Sequence, residues 1–459
     1  MLDAAILHIL NHISKSADRI RKNNERIKNG LEQSDAVPRD QGFVRPKVLI
    51  LLPFRNQALS LVQRLLSLAI KETRTDTIQN KSRFLEEFGI EEDQEQVSAR
   101  AKRALLLKPK DHKALFAGNI DDHFRLGMKL TKGSIRLFTD FYDSDILVAS
   151  PLGLATKLEE ETKEPTKEGP SDFLSSIEIL LISRSDVMLM QNWSHVVKIL
   201  SLLNKMPKAQ QNVDIMRIRE WYAAGKASCY RQNIVLSSFP CPELNGLISK
   251  QCSSHTGSVK WSKKYGGVLS RIGPKLRHTF EPLPSVVQSP LDEPQCRFDN
   301  FKSNIWPKIR ESSRGGGQLL YIPSYFDYVK VRNYLREQAA SFVGLCEYTD
   351  VKDMARARSY FSDGRRRVLI YTERAQFFNR HLIQGIKDIF FYQLPDHPQF
   401  YSELANFVED TIDGSMATVH TCYSRYDLMK LERIVGSDRA KTMIRKGCQG
   451  SLAGTFVFT

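Results

Sequence analysis

The chain has no G-x-x-x-x-G-K-[ST] loop, the arrangement in which backbone N–H groups and a lysine surround the phosphates of a nucleotide. Gly225-Lys226 comes nearest, but Ala227 follows it and no glycine stands at the required spacing before it. Gly315-Gly316-Gly317 precedes an apolar run instead of following one, and reads as a flexible connection. No apolar stretch reaches the roughly 20 residues of a membrane-spanning helix, so no membrane partner is expected. Met1-Leu2-Asp3-Ala4 lacks the positive start of a secretory signal. Cysteine is sparse. The seven (Cys229, Cys241, Cys252, Cys296, Cys346, Cys422 and Cys448) are scattered and odd in number. That argues against a disulfide framework and for a reducing compartment, nuclear or cytosolic. Metal chemistry is equally thin. His8 and His12 stand four apart on a helical pattern but lack the intervening Glu of a zinc protease, and Cys241, Cys252 and His255 have loose spacing and no fourth partner. No metal and no cofactor is expected.

What is present is positive charge and a repeating pattern. Lys+Arg number 67 against Asp+Glu 52, a net charge of +15 that suits a polyanionic partner. A 41% hydrophobic content over 459 residues allows two or three domains with their own cores. Residues 1–30 read as one amphipathic helix, apolar at Ile6, Leu10, Ile13, Ala17 and Ile20 and basic toward its end, stopped by Asn29-Gly30. Residues 31–46 read as a linker. Lys47–Leu52 is a continuous apolar run, the mark of a strand buried on both faces of a parallel sheet, and helical periodicity follows over 56–70. Residues 71–112 are charged and weakly periodic, and read as a partly disordered insertion within a first domain over 47–249. Strands are expected at 145–149, 177–182 and 234–236, with a helix over 187–203. Residues 250–300 show little pattern and read as an interdomain segment. A second domain over 301–459 alternates again, with strands at 318–322, 368–371, 388–392 and 418–423, a helix over 328–340, and Asp427 as N-cap of a helix through Ile434. The fold class expected is α/β, two tandem parallel-sheet domains with helices on both faces.

The strand 177–182 ends in Ser183-Arg184-Ser185-Asp186. In a nucleoside triphosphatase, the acid ending this strand holds Mg²⁺ and a second acid helps activate water. Here Arg184 places positive charge where the metal would sit, and Asp186 reads as a cap of the next helix. No ATPase activity is expected from this set. Arg365-Arg366-Arg367, with Lys352, Arg356 and Arg358 upstream, reads either as a solvated turn or as an edge that touches phosphates. The aromatic and basic residues interleaved over Tyr371–Arg380 fit base stacking about as well as a packed core or a protein interface.

Several long stretches carry a family resemblance: Gly118-Asn119-Ile120-Asp121-Asp122-His123-Phe124-Arg125, Ser144–Leu154, Met190-Gln191-Asn192-Trp193, Tyr321–Asp327, Tyr371-Thr372-Glu373-Arg374 and Phe391-Tyr392-Gln393-Leu394-Pro395. They resemble, in order, the U3 small nucleolar RNA-associated protein 25 family, also called digestive organ expansion factor. The resemblance implies two RecA-like domains related to DEAD-box RNA helicases but degenerate at the ATP site. It also implies a nucleolar, hence nuclear, factor of the small-subunit processome, acting in early pre-rRNA processing toward 18S rRNA. The implied partners are pre-rRNA, the U3 small nucleolar ribonucleoprotein and processome proteins. Family members usually carry an acidic N-terminal region and a segment for the first helicase strand. Neither is found here, so an N-terminally incomplete first domain is expected.

The resemblance also carries over to individual turns. Arg55 in Pro53-Phe54-Arg55, and Ser150 and Gly153 in Ser150-Pro151-Leu152-Gly153, fall where helicases turn toward the RNA backbone. Thr372 and Arg374 fall at the corresponding turn of the second domain. Ser237-Ser238 resembles the Ser-Ala-Thr that couples ATP to RNA. The arginine-finger region, read at 401–406, has no arginine, and a finger stabilises charge in phosphoryl transfer. The expectation is therefore a non-catalytic, helicase-like assembly factor with RNA-facing turns at Arg55, Ser150, Gly153, Thr372 and Arg374. The rival is an active RNA-dependent ATPase whose phosphate loop lies upstream of Met1. A third reading is a protein scaffold without RNA contact.

Overall fold

The run at Lys47–Leu52 forms the central strand of a sheet, and its alternate side chains feed two different cores. The computed structural model describes residues 1–29, 37–69, 78–90, 107–131, 133–163, 169, 171–209, 213–283, 287, 289–312, 314–409, 416–447 and 454–459. These form two units, Met1–Lys260 and Trp261–Thr459.

In the first unit the strands are β1 (Val48–Leu51), β2 (Ile78–Gln79), β3 (Arg125–Leu130), β4 (Ile135–Leu137), β5 (Ile146–Ala149), β6 (Ile179–Ile182) and β7 (Gln232–Val235). Their order across the sheet is β2-β4-β3-β5-β1-β6-β7. The block β5-β1-β6-β7 is parallel, with Leu49 opposite Leu147 on one side and Leu180 on the other. Strand β3 runs antiparallel to both β4 and β5. Every residue of β1, β5 and β6 is buried. Val48, Ile50, Val148 and Leu181 face one core with Ile6, Ile9 and Ile13 of the helix Leu2–Lys28 and Leu61, Val62 and Leu65 of the helix Arg55–Ala69. Leu49, Leu51, Leu147 and Leu180 face the other, with Leu154, Val196 and Leu247 from helices Pro151–Lys163, Trp193–Leu202 and Pro242–Gln251. A strand covered on both faces has no polar side to show, which is why its sequence is unbroken apolar.

In the second unit the strands are β8 (Leu276–Pro282), β9 (Gln318–Ile322), β10 (Phe342–Leu345), β11 (Val368–Thr372), β12 (Asp388–Phe391), β13 (Ala417–Tyr423) and β14 (Phe456–Phe458). The order is β10-β11-β9-β12-β13-β8-β14, all parallel except β14. Helices again cover both faces: Val351–Ser362, Pro398–Asn406 and Leu428–Val435 on one, Tyr325–Glu337 on the other. The two-domain α/β expectation is borne out.

Local departures have local causes. The stretch 71–112 was expected to be an unpatterned insertion. Its described part carries β2 and a helix, Lys81–Phe88, whose Phe84 and Phe88 are buried in the core; the rest lies outside the described residues. Residues 250–300 contain β8, where Leu276, His278 and Phe280 alternate into the core. The single helix expected over 187–203 is two, Ser185–Met188 and Trp193–Leu202, because the Asn192 side chain accepts from Ser194 N–H and starts a new helix. Asp186 is not a cap: Arg184 holds the N-cap position. Asp427 does stand at the N-cap of Leu428–Val435, but its carboxylate serves Ser424 N–H and Arg297 instead of that helix. Gly315-Gly316-Gly317 is shaped as well as hinged. All three take positive φ, and a Cβ on Gly317 would meet Gly385 O at 2.7 Å.

The amphipathic N-terminal helix is held by a buried polar cluster as well as by its isoleucines. Glu178 accepts from His12 Nε2 at 2.5 Å and Arg219 at 2.5 Å, and Tyr222 O–H reaches it at 3.3 Å. Lys47 donates to Ser16 of the same helix. Burial raises the Glu178 pKa, but the His12 hydrogen bond and the charges of Lys47 and Arg219 outweigh it, and the carboxyl ends at about 2. A carboxylate whose folded pKa lies below its unfolded value stabilises the fold above the unfolded value. That contribution is lost as pH falls from about 4.5 toward 2. Glu178→Gln leaves Arg219 and Lys47 without their shared countercharge. The expected cost at pH 7 is about 3 kcal/mol, read as a lower urea midpoint, and the gap from the parent should close as pH drops through this window.

Candidate functional site

The C-terminal ends of β1, β5, β6 and β7 carry the four sequence-predicted turns of the first unit. This is the edge at which open α/β sheets bind ligands. Two features decide what it offers: a strap that crosses it, and a carboxylate locked within it.

The strap is Gly118–Phe124. Arg55 N–H donates to Asp121 O at 3.0 Å, and Asn56 N–H to Asn119 O at 2.8 Å. The Arg55 guanidinium pairs with the Asp121 carboxylate at 2.9 Å and donates to Glu87 O at 2.8 Å and His123 O at 3.0 Å. It thus ties the turn after β1 to the strap. Ser150 is fully buried, and its Oγ accepts from Gly153 N–H at 2.9 Å and Phe124 N–H at 3.3 Å. Gly153 is required by close approach: a Cβ there would lie 2.8 Å from Phe124 N and 2.9 Å from Phe124 C. Gln191 donates to Pro53 O at 3.3 Å and to Asp122 at 3.2 Å. Burial, with Asp121 beside it, raises the Asp122 pKa. Sequence reasoning used Gly118–Arg125 to mark the family and assigned it no role. Its signal was the density of Asn and Asp, which satisfy the backbone of irregular loops.

The locked carboxylate is Asp186. It is buried, accepts from Ser238 Oγ at 2.8 Å and from Ser238 N–H at 3.4 Å, and so joins the end of β6 to the turn after β7. Ser185 Oγ donates to Leu236 O at 2.9 Å across the same gap. Ser183 is buried. Arg184 is left-handed (φ 59°), and its guanidinium stands 3.9 Å from Asp186. Ser183, Arg184, Ser185 and Asp186 are thus brought together with Ser237-Ser238, in a hydrogen-bonded seam with a cation at its mouth.

In the second unit, Thr372 is buried at the end of β11. Its Oγ1 accepts from Ala375 N–H at 3.3 Å as the N-cap of Glu373–Asn379 and donates to Glu347 at 3.0 Å. Arg374 is partly exposed, 4.0 Å from Glu347. Glu373, which the resemblance places with Thr372 at the Thr-Asp-like turn of the second domain, is buried and accepts from Asp396 N–H at 2.9 Å, His397 N–H at 3.1 Å and His397 Nδ1 at 3.2 Å. Asp396 in turn meets Lys430 at 3.3 Å and Arg433 at 3.5 Å. Two of the three aromatics of 371–380 pack inward: Tyr371 and Phe377 are buried, Tyr371 O–H donates to Gln376 at 2.8 Å, and Arg380 is held by Glu403 at 2.7 Å. Phe378, against Phe377, is partly exposed. Arg365 and Arg366 sit on an exposed turn.

The first unit matches the family description "UTP25, NTP hydrolase-like domain" over residues 1–259, and the second matches "Utp25, C-terminal domain" over 268–450. The chain belongs to the UTP25 family. It is 41% identical over 458 residues to Protein NUCLEOLAR FACTOR 1 of Arabidopsis thaliana, covering 96% of this chain and 60% of that protein. It is 40% identical over 446 residues to the U3 small nucleolar RNA-associated protein 25 homolog of Xenopus tropicalis, covering 96% of this chain and 56% of that one. The chain therefore spans about 60% of the length of the curated UTP25 relatives it matches. Among solved structures it is similar to the yeast DEAD-box splicing factor Prp28, with TM-score 0.28, 12% identity and 91% and 71% of the two chains covered. It is also similar to S. cerevisiae Dbp5 bound to RNA and ADP BeF3, with TM-score 0.28, 12% identity and 88% and 82% covered. Structural likeness at this level carries no functional argument for the UTP25 chain.

The Ser150–Gly153 turn makes a direct prediction. Gly153→Ala should lower the denaturation midpoint of the protein, by about 1–3 kcal/mol of overpacking against the Phe124 backbone. A midpoint equal to the parent's would show that the strap is not packed as described.

Proposed function

We propose that this chain is a non-catalytic assembly factor of the small-subunit processome. In this reading it works in the nucleolus, in early pre-rRNA processing toward 18S rRNA. It binds pre-rRNA, the U3 ribonucleoprotein and neighbouring processome proteins through two α/β domains. The names of its relatives, a nucleolar factor and U3 small nucleolar RNA-associated proteins, support the setting. The net charge of +15 supports a polyanionic partner.

One observation carries the non-catalytic part. At the end of β6, Ser183 and Arg184 stand where a triphosphatase places its Mg²⁺-holding and water-activating acids, and the one carboxylate left, Asp186, is spent on Ser238 and faced by Arg184. Phosphoryl transfer needs a metal held beside the phosphates. A lone buried acid with a guanidinium alongside is a poor cation ligand, because the ion would have to displace both. No nucleotide or metal is therefore assigned to the chain. Among the residues proposed to face RNA, Arg374 presents a partly exposed guanidinium, while Arg55, Ser150, Gly153 and Thr372 act by fixing the shape of the turns.

Recovery of RNA with the tagged full-length protein tests this reading. U3 RNA and precursors of 18S rRNA should be enriched, and depletion should lower 18S while sparing the large-subunit RNA. Recovery without U3 enrichment, or an equal loss of both subunits' RNA, would contradict the assignment.

A further inference from the structure

The helix Leu2–Lys28 runs well past its own packing. Its buried side chains are Ala5, Ile6, Ile9, Ile13 and Ser16, all in its first half. From Ala17 to Asn29 only Ile20 and Asn23 are partly covered. Residues 15–28 hold six Lys/Arg (Lys15, Arg19, Arg21, Lys22, Arg26, Lys28) against Asp18 and Glu25.

Four of these cations share one face. Lys15, Arg19, Lys22 and Arg26 stand at i, i+4, i+7 and i+11, which at 3.6 residues per turn keeps them within about 60° of arc and spreads them over about 16 Å. The isoleucine face lies roughly 120° away, so the stripe points outward, and all four residues are exposed. Arg21, off the stripe, engages Asp18 at 3.2 Å. Among the described residues none of the four stripe cations has an ion-pair partner.

A solvated helix face ordinarily mixes charge signs, because like charges at i,i+4 destabilise a helix. The helix macrodipole favours cations in the last turn, which accounts for Arg26 and Lys28. It does not account for Lys15 and Arg19, about three and two turns further back. Neighbouring stripe charges lie closer together than the Debye length of about 8 Å at physiological salt, so they act as one field.

The helix is also held rigid. Asn23 donates to Asp40 at 2.8 Å, and Arg217 donates to Asn24 at 2.5 Å and pairs with Asp40 at 2.8 Å in a buried ion pair. Asn24 lies on the side away from the stripe, and Asn23 flanks it one turn after Arg19. The exposed half is thereby pinned to the body with its cations already in line, which lowers the ordering cost of binding an extended partner. Its main apolar face, Ile6, Ile9 and Ile13, is used up in the protein core, and past Ile13 only Ile20 and Ile27 are apolar and large, which is little for a lipid surface.

We propose that the stripe Lys15-Arg19-Lys22-Arg26 is a phosphate-backbone contact surface for RNA, separate from the strand-end turns. The proposal deepens the RNA-binding part of the function above and rests on it.

The test is filter binding of a labelled single-stranded RNA of about 20 nucleotides, a length that exceeds the stripe, across a salt series. The stripe variant is Lys15→Gln, Arg19→Gln, Lys22→Gln and Arg26→Gln together. Gln matches Lys and Arg in helix propensity, so the helix is kept, and circular dichroism checks it. A charge-matched control removes four exposed lysines with no proposed role, Lys205, Lys226, Lys250 and Lys263, in the same way. The stripe variant should bind about tenfold or more weakly, with a salt slope shallower by roughly 2 to 3, near 0.7 per lost phosphate contact on a single strand. The control should lose clearly less. Equal losses in both variants mean a net-charge effect and overturn the proposal, as does parental binding by the stripe variant. In those cases RNA binding itself stands. A parent chain that binds no RNA overturns the proposal and the RNA part of the function together. A variant that keeps RNA but loses polyglutamate binding assigns the stripe to an acidic protein and overturns it too.

Discussion

A buried carboxylate must be satisfied where it lies, and Asp186 is satisfied by Ser238. This bond joins the end of β6 to the turn after β7, at the edge where an α/β sheet of this kind would present its ligand. Ser185 to Leu236 O repeats the tie one residue earlier. With Asp186 bonded to Ser238 and Arg184 at 3.9 Å, a divalent cation would have to displace both to reach this carboxylate. The polar atoms at this edge form a seam that holds two strands together.

The same economy runs through both units. Arg55 serves Asp121 and two carbonyls of neighbouring loops, and Thr372 serves Glu347 and its own helix. These residues hold turns. Exposed charge gathers elsewhere, on the outer face of the N-terminal helix, which is fixed beneath by Glu178 and by the Asp40–Arg217 pair. Exposed charge and internal packing are thus carried by different faces of one helix.

The fold was legible where burial is two-sided. Val48–Leu51, Ile146–Ala149 and Ile179–Ile182 are unbroken apolar runs because helices cover both faces of the sheet. It was hidden where a strand mixes burial with polar side chains, as in Leu276–Pro282, where His278 and Thr279 are buried beside Phe280. The two-residue β2 is too short to leave any pattern. In the candidate site, the identity of Ser183–Asp186 was readable, but its use was not. Asp186 looked like a helix cap because the nearest backbone in sequence is the obvious partner. Its actual partner, Ser238, is 52 residues away and comes near only through the pairing of β6 with β7. The use of Glu373 was hidden for the same reason: its partners at 396 and 397 lie beyond the next strand.

The claim that the sheet edge is a structural seam and not a nucleotide site is tested most directly by calorimetric titration of ATP into the purified protein. The titration is run with and without Mg²⁺ and single-stranded RNA. The account predicts no binding at millimolar nucleotide under any of these conditions. Micromolar, Mg²⁺-dependent binding would mean that the Asp186–Ser238 bond opens to admit a metal, and would contradict it.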